Sequence, residues 1–132
     1  MSKIYRDMSK LEIMEFSNKI LEVVVLKYGF SKHYEFTPYL QFEDFPFSDS
    51  KVLTNVGEFC FMENEITIFW KLVNDKEELI RTIIHEYQHY LQSPHWFTRY
   101  YNEGHDYESH PYEIAALKEE ECWEAIYKSI IL

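Results

Sequence analysis

The sequence predicts an α+β fold: an N-terminal helix, a small and mostly antiparallel sheet, a central helix, and a C-terminal helix that opens with a proline and a glutamate. Three observations predict it. Apolar residues from about Ser9 to Tyr28 recur at the helical period. Between Lys32 and Trp70 the pattern changes to short, aromatic-rich, alternating segments. Helical periodicity returns after Asn74 and Asp75, and again after Pro111. At 132 residues, all of this fits one domain spanning 1–132.

The first helix carries two apolar rows, one of Leu11, Met14, Leu21 and Val25 and one of Ile13, Phe16, Ile20 and Val24. Gly29 follows and is placed to supply a left-handed cap. Tyr34, Phe36, Leu40, Phe42 and Phe45, interrupted by Pro38 and Pro46, suit edge or bent strands. A hairpin is predicted from Glu58 to Trp70, with Met62 to Glu65 as its turn. Asn74 or Asp75 caps the central helix, with Glu77 or Glu78 three residues on, and Pro94 ends it near Gln92. Residues 93 to 110 read as loop. Pro111, at a favoured first helical position, starts a helix that continues to the C-terminus.

Twenty-three acidic residues against thirteen basic ones give a formal charge of −10. Such a field repels phosphate backbones and anionic lipid heads, so neither nucleic-acid nor membrane-surface partners are expected. The most apolar run, Ile20 to Leu26, contains Glu22 and falls far short of the ~20 residues that span a bilayer. No cleavable signal is read at the N-terminus. Cys60 and Cys122 match no thiolate metal site or redox pair. A reduced, cytoplasmic protein is the expectation.

The central helix holds His85-Glu86-Tyr87-Gln88-His89. Residues four apart on a helix lie one above the other, so two imidazoles converge on one metal while the intervening glutamate reaches water beside it. At 100° per residue, Leu79, Ile80, Ile83, Ile84, Tyr87, Tyr90 and Leu91 share one sector, and the histidines fall opposite. Two histidines alone do not hold a catalytic zinc, which takes three protein ligands and keeps one position open. Among His95, His105, Asp106, His110 and Glu113, two stand out. His95 lies six residues after His89, the spacing of a metzincin third histidine, but position 92 is glutamine and no methionine lies beyond Met62. Glu113 lies 24 residues after His89, in the first turn of the helix opened by Pro111. From there its carboxylate points back, and the small Ala115 and Ala116 let two helices approach.

With HExxH on one helix and Glu113-x-x-Ala116 on the next, the stretch from about Ile66 to Glu120 resembles the gluzincin metallopeptidases, and among them the minigluzincin type. The resemblance implies a zincin-like fold in which a short sheet packs on the active-site helix and an edge strand lines the cleft. Here that strand would be Ile66, Thr67, Ile68, Phe69 and Trp70. Position 117, where many gluzincins place an acidic residue, is leucine; Glu120 is the substitute support for a histidine ligand. The reading is a zinc peptidase with His85, His89 and Glu113 as ligands and Glu86 as general base. His105, Tyr107, His110 and Tyr112 are its candidate oxyanion or substrate contacts. The edge strand and the negative field favour extended, neutral or basic peptide or protein substrates. The alternatives are a non-catalytic acidic interaction module and an inactive zincin-fold regulator that binds peptide without cleaving it.

Overall fold

The computed structural model describes residues 8–45, 56–106 and 109–131; Pro46 and Tyr107 lie outside them. The first helix, α1, spans Lys10–Tyr28. Ser9 caps it through a reciprocal pair: the Ser9 hydroxyl accepts from the Glu12 amide at 3.1 Å, and the Glu12 carboxylate accepts from the Ser9 amide at 2.8 Å. Of the two apolar rows, the one holding Ile13, Ile20 and Val24 enters the core, while Leu11 stays exposed. Gly29 ends the helix with φ 80° and ψ −166°. This is not the left-handed helical cap expected but a mirror-image extended region open essentially to glycine alone.

Three strands follow: β1 Tyr39–Glu43, β2 Gly57–Cys60 and β3 Glu65–Phe69. The hairpin β2–β3 pairs antiparallel, with Phe59 opposite Ile66 and Gly57 opposite Ile68. Its turn closes on Asn64, whose φ of 52° suits asparagine and whose side-chain amide donates to the Phe36 carbonyl at 2.8 Å. β1 pairs with β3 in parallel, Leu40 beside Ile66 and Phe42 beside Ile68. The sheet order is therefore β1-β3-β2. Two expectations are corrected by it. The sheet is mixed, with one parallel and one antiparallel pairing. The segment expected at the edge is its centre, because both of its flanks are hydrogen-bonded, and Trp70 leaves the strand to open a short 3-10 turn, Trp70–Leu72. Among the described residues β1 and β2 are the outer strands, and β2 is the one packed along α2.

Helix α2, Lys76–Leu91, is capped by Asp75, whose carboxylate accepts from the Glu78 amide at 2.9 Å. It lies across the sheet and is buried on most of its circumference: Leu79, Ile80, Ile83 and Ile84 meet Ile66, Ile68, Ile13 and Ile20, and His85, Gln88 and His89 are buried as well. Gly57 lets β2 lie directly on this helix, since a Cβ there would stand 2.8 Å from Thr82 Cγ2 and 2.9 Å from the Thr67 carbonyl.

The region expected to be loop contains α3, Pro94–Asn102. Ser93 caps α3: its carbonyl accepts from the Phe97 amide at 2.9 Å and its hydroxyl from the Trp96 amide at 3.3 Å. Helix α4, Pro111–Glu119, begins as expected, but a 3-10 turn at Glu120–Cys122 separates it from α5, Trp123–Ile131, so the final helix is not continuous. α4 packs on α2 through Ala116, which is fully buried; Ala115 remains exposed. Among the described residues no helix is long and apolar enough to cross a membrane.

Candidate metal centre

Two helices build the site. α2 carries His85 and His89 one turn apart, and Pro111 starts α4 so that Glu113, in its first turn, faces them. The Glu113 carboxylate oxygen Oε1 lies 3.0 Å from His85 Nε2 and 3.1 Å from His89 Nε2. All three ligand atoms fall within 4.8 Å of one another, and all three residues are buried. The histidines do not sit on a solvated face: their side of α2 is covered by α4 and by the turn after it.

The outer nitrogens show which way the rings work. His85 Nδ1 lies 2.8 Å from Glu120 Oε2, and His89 Nδ1 lies 2.7 Å from Gln92 Oε1. Gln92 is itself oriented, because its Nε2 donates to the Tyr112 carbonyl at 3.1 Å, which turns Oε1 towards His89. Both Nδ1 atoms therefore carry hydrogen and donate, and the Nε2 lone pairs face the Glu113 oxygen. Three acceptors this close repel unless a cation lies among them. Zinc bonds of about 2.0–2.1 Å in a tetrahedron place neighbouring ligand atoms about 3.3 Å apart, close to the two separations here. The residues present fit a small metal ion bound by two imidazoles and a carboxylate, each imidazole held by an outer partner as such ligands require.

Without metal, protons take the cation's place. Burial opposes a charged His85, but the hydrogen bonds to Glu113 and Glu120 outweigh it and hold the ring up to about 10. Burial likewise opposes a charged Glu113, and the two histidines outweigh it, holding that carboxyl down to about 2. Glu86 is half-buried on the same cleft. Burial raises its carboxyl to about 7; His85 and His89 oppose the rise, and the carboxylates of Glu113 and Glu58 add to it.

The cleft in front of the triad holds about 630 Å³, with Gly57, Glu58 and Phe59 of β2 on one wall and Phe97 of α3 closing one end. Other sequence candidates fall elsewhere. His95 is exposed on the first turn of α3 with its ring against Trp96, away from the triad. His110 is the N-cap of α4: Nδ1 accepts from the Tyr112 amide at 3.1 Å, and Nε2 donates to the Phe97 carbonyl at 2.9 Å. With both nitrogens committed and the ring fully buried, it is a structural cap and not an oxyanion donor. His105 meets Ser109 and the Tyr100 ring, and Tyr112 packs on Phe97 and Tyr100. Neither is among the residues that line the cleft. Ile66, Thr67, Ile68, Phe69 and Trp70 give way to β2 as the strand beside the metal centre.

Gln92 is the functional residue that sequence reasoning missed. Its position three residues after His89, on the same helical face, was the available signal.

A scan against protein-family models, a search of curated proteins and a search of solved structures each found no match to this chain.

Proposed function

We propose that the protein is a zinc-dependent peptidase of the gluzincin type, with a zincin-like arrangement of sheet, active-site helix and glutamate helix. The observation that carries this reading is the convergence of His85 Nε2, His89 Nε2 and Glu113 Oε1, with both outer ring nitrogens satisfied by Glu120 and Gln92. Two nitrogens and one carboxylate oxygen are a donor set of hydrolytic zinc sites, which keep a further position open. A bound zinc supplies a Lewis acid and lowers the pKa of water in its coordination sphere to about 7.

The chain's own residues supply the rest. Glu86, between the two histidines in sequence and open to the cleft, takes a proton from the attacking water on its carboxylate and delivers it to the departing amide nitrogen. Glu120 and Gln92 keep His85 and His89 in the one tautomer that leaves Nε2 free. Among the described residues β2 pairs on one side only, and its outer edge would offer main-chain hydrogen bonds to an extended peptide, aligning its backbone with the triad. This favours peptide bonds over other hydrolysable groups.

The test is hydrolysis of an unstructured peptide mixture by zinc-loaded protein. Cleavage that is lost on chelation, and lost in Glu86→Gln with zinc retained, supports the reading. A fully metallated, folded sample that cleaves no peptide contradicts it.

A further inference from the structure

Most of the charged side chains that line the cleft are carboxylates. Among the described residues of its wall, Arg81 is the only lysine or arginine. Its guanidinium is held from three sides. Nε donates to the Glu77 carboxylate at 2.8 Å, one turn back on α2. The guanidinium carbon lies 5.9 Å from the centre of the Trp123 ring. Nη1 lies 3.9 Å from Glu120 Oε1, beyond hydrogen-bond reach, and the other Glu120 oxygen is taken by His85. The side chain is thus fixed by its Nε edge and its face, while no acceptor among the described residues bonds its terminal nitrogens. It is 36 % exposed, so those N–H groups are open to a ligand.

Two terminal guanidinium nitrogens form a fork that matches both oxygens of a carboxylate. On an extended peptide that carboxylate is either the free C-terminus or an Asp or Glu side chain. Arg81 stands one turn before His85 towards the same side of α2, and a turn rises about 5.4 Å. An extended chain advances about 3.4 Å per residue, so the guanidinium meets groups about one or two residues from the bond held at the triad. At Glu58, Glu78 or Glu86 an anion meets like charge and is repelled. The cleft therefore admits a carboxylate at one point.

We propose that Arg81 anchors a peptide carboxylate about one or two residues from the scissile bond, so that cleavage falls next to a free C-terminus or an acidic side chain. The proposal rests on the peptidase reading and deepens it by naming the substrate class.

The experiment incubates the zinc-loaded full chain with two unstructured peptide mixtures of the same sequences, one with free C-termini and one amidated, and maps the cuts by mass spectrometry. Bonds near a free C-terminus are cut about tenfold or more faster than the same bonds in amidated peptides, the margin of hydrogen bonds to a charged group. Amidated peptides with an internal Asp or Glu separate the two carboxylate sources: cuts gathered beside those residues show that a side chain also serves, and cuts confined to free C-termini show that the terminus alone does. Arg81 variants are compared at saturating zinc by their ratio of acid to amide cleavage, which cancels any general effect of loosening Glu120. The ratio falls to about one in Arg81→Gln and is partly kept in Arg81→Lys, which retains the charge without the fork. Wild-type cuts that are indifferent to amidation and to acidic residues, or a ratio unmoved by Arg81→Gln, overturn this inference and leave the peptidase reading standing. If metallated, folded wild type cuts nothing, the peptidase reading falls, and binding of labelled acid and amide peptides decides the anchor: an acid preference lost in Arg81→Gln keeps it, and equal binding or none overturns it.

Discussion

His85 and Glu113 hold each other in charged form when no metal separates them, and this sets how the site responds to pH. His85 titrates near 10 in the metal-free protein, above its ordinary 6.5, while Glu113 is ionised at any pH above about 2. On the zinc reading, binding would displace the proton that His85 holds. Between pH 7 and 9 zinc affinity should rise about tenfold per pH unit, and calorimetry in buffers of different ionisation enthalpy should report release of one proton. An affinity flat over that range would contradict the pairing. For the metal-free fold the sign is the reverse: a raised folded-state pKa stabilises fully below about 6.5 and is lost as pH climbs through about 10. The metal-free melting temperature should fall over that interval. The outer partners act through the rings they hold. Glu120→Gln and Gln92→Ala should each weaken zinc binding about 10–100-fold while leaving the circular dichroism spectrum unchanged; Glu113→Ala, which removes a ligand, should weaken it further.

At the scale of elements, local signals were legible and long-range pairings were not. Ser9 with Glu12, Asp75 with Glu78 and His110-Pro111 mark helix starts within a few residues of sequence, and α1, α2 and α4 begin where those signals stand. The hairpin of β2 and β3 is equally local. Three features escaped for physical reasons. That β3 is central follows from its parallel pairing with β1, which no local pattern encodes. Helix α3 is only 9 residues long and mostly exposed, burying chiefly Phe97 against His89 and His110; its amphipathic spacing of Trp96, Phe97 and Tyr100 runs for too few turns to stand out, although Ser93-Pro94 was a start signal. The turn at Glu120–Cys122 interrupts an otherwise helical pattern without glycine or proline. Of the site, His85, His89, Glu86 and Glu113 were legible from spacing, whereas the role of Gln92 depends on where Tyr112 lies. One prediction belongs to this scale. Gly57→Ala forces a methyl against the Thr67 carbonyl, which cannot move without breaking the β2–β3 pairing, and should destabilise the fold by about 1–3 kcal/mol. A midpoint in urea unchanged from wild type would mean that β2 does not lie on α2 as described.

For the whole molecule, the candidate metal centre draws on segments far apart in sequence: α2, α4 and the turn that follows it, with β2 across the cleft. A ligand that binds only this assembled form stabilises it by mass action. Zinc in excess should raise the melting temperature and chelation should lower it, and neither should shift a His85→Ala, His89→Ala double variant. The formal charge of −10 adds an attractive field for cations, but a field does not choose ligands, so general attraction must be separated from the specific centre. The zinc-edge X-ray absorption spectrum of the protein loaded with one equivalent does this most directly. A centre of His85, His89 and Glu113 should give scattering from two imidazoles and from oxygen at about 2.0–2.1 Å in a four-coordinate site. A spectrum with fewer than two imidazoles, or with a sulfur neighbour at about 2.3 Å from Cys60 or Cys122, would contradict it.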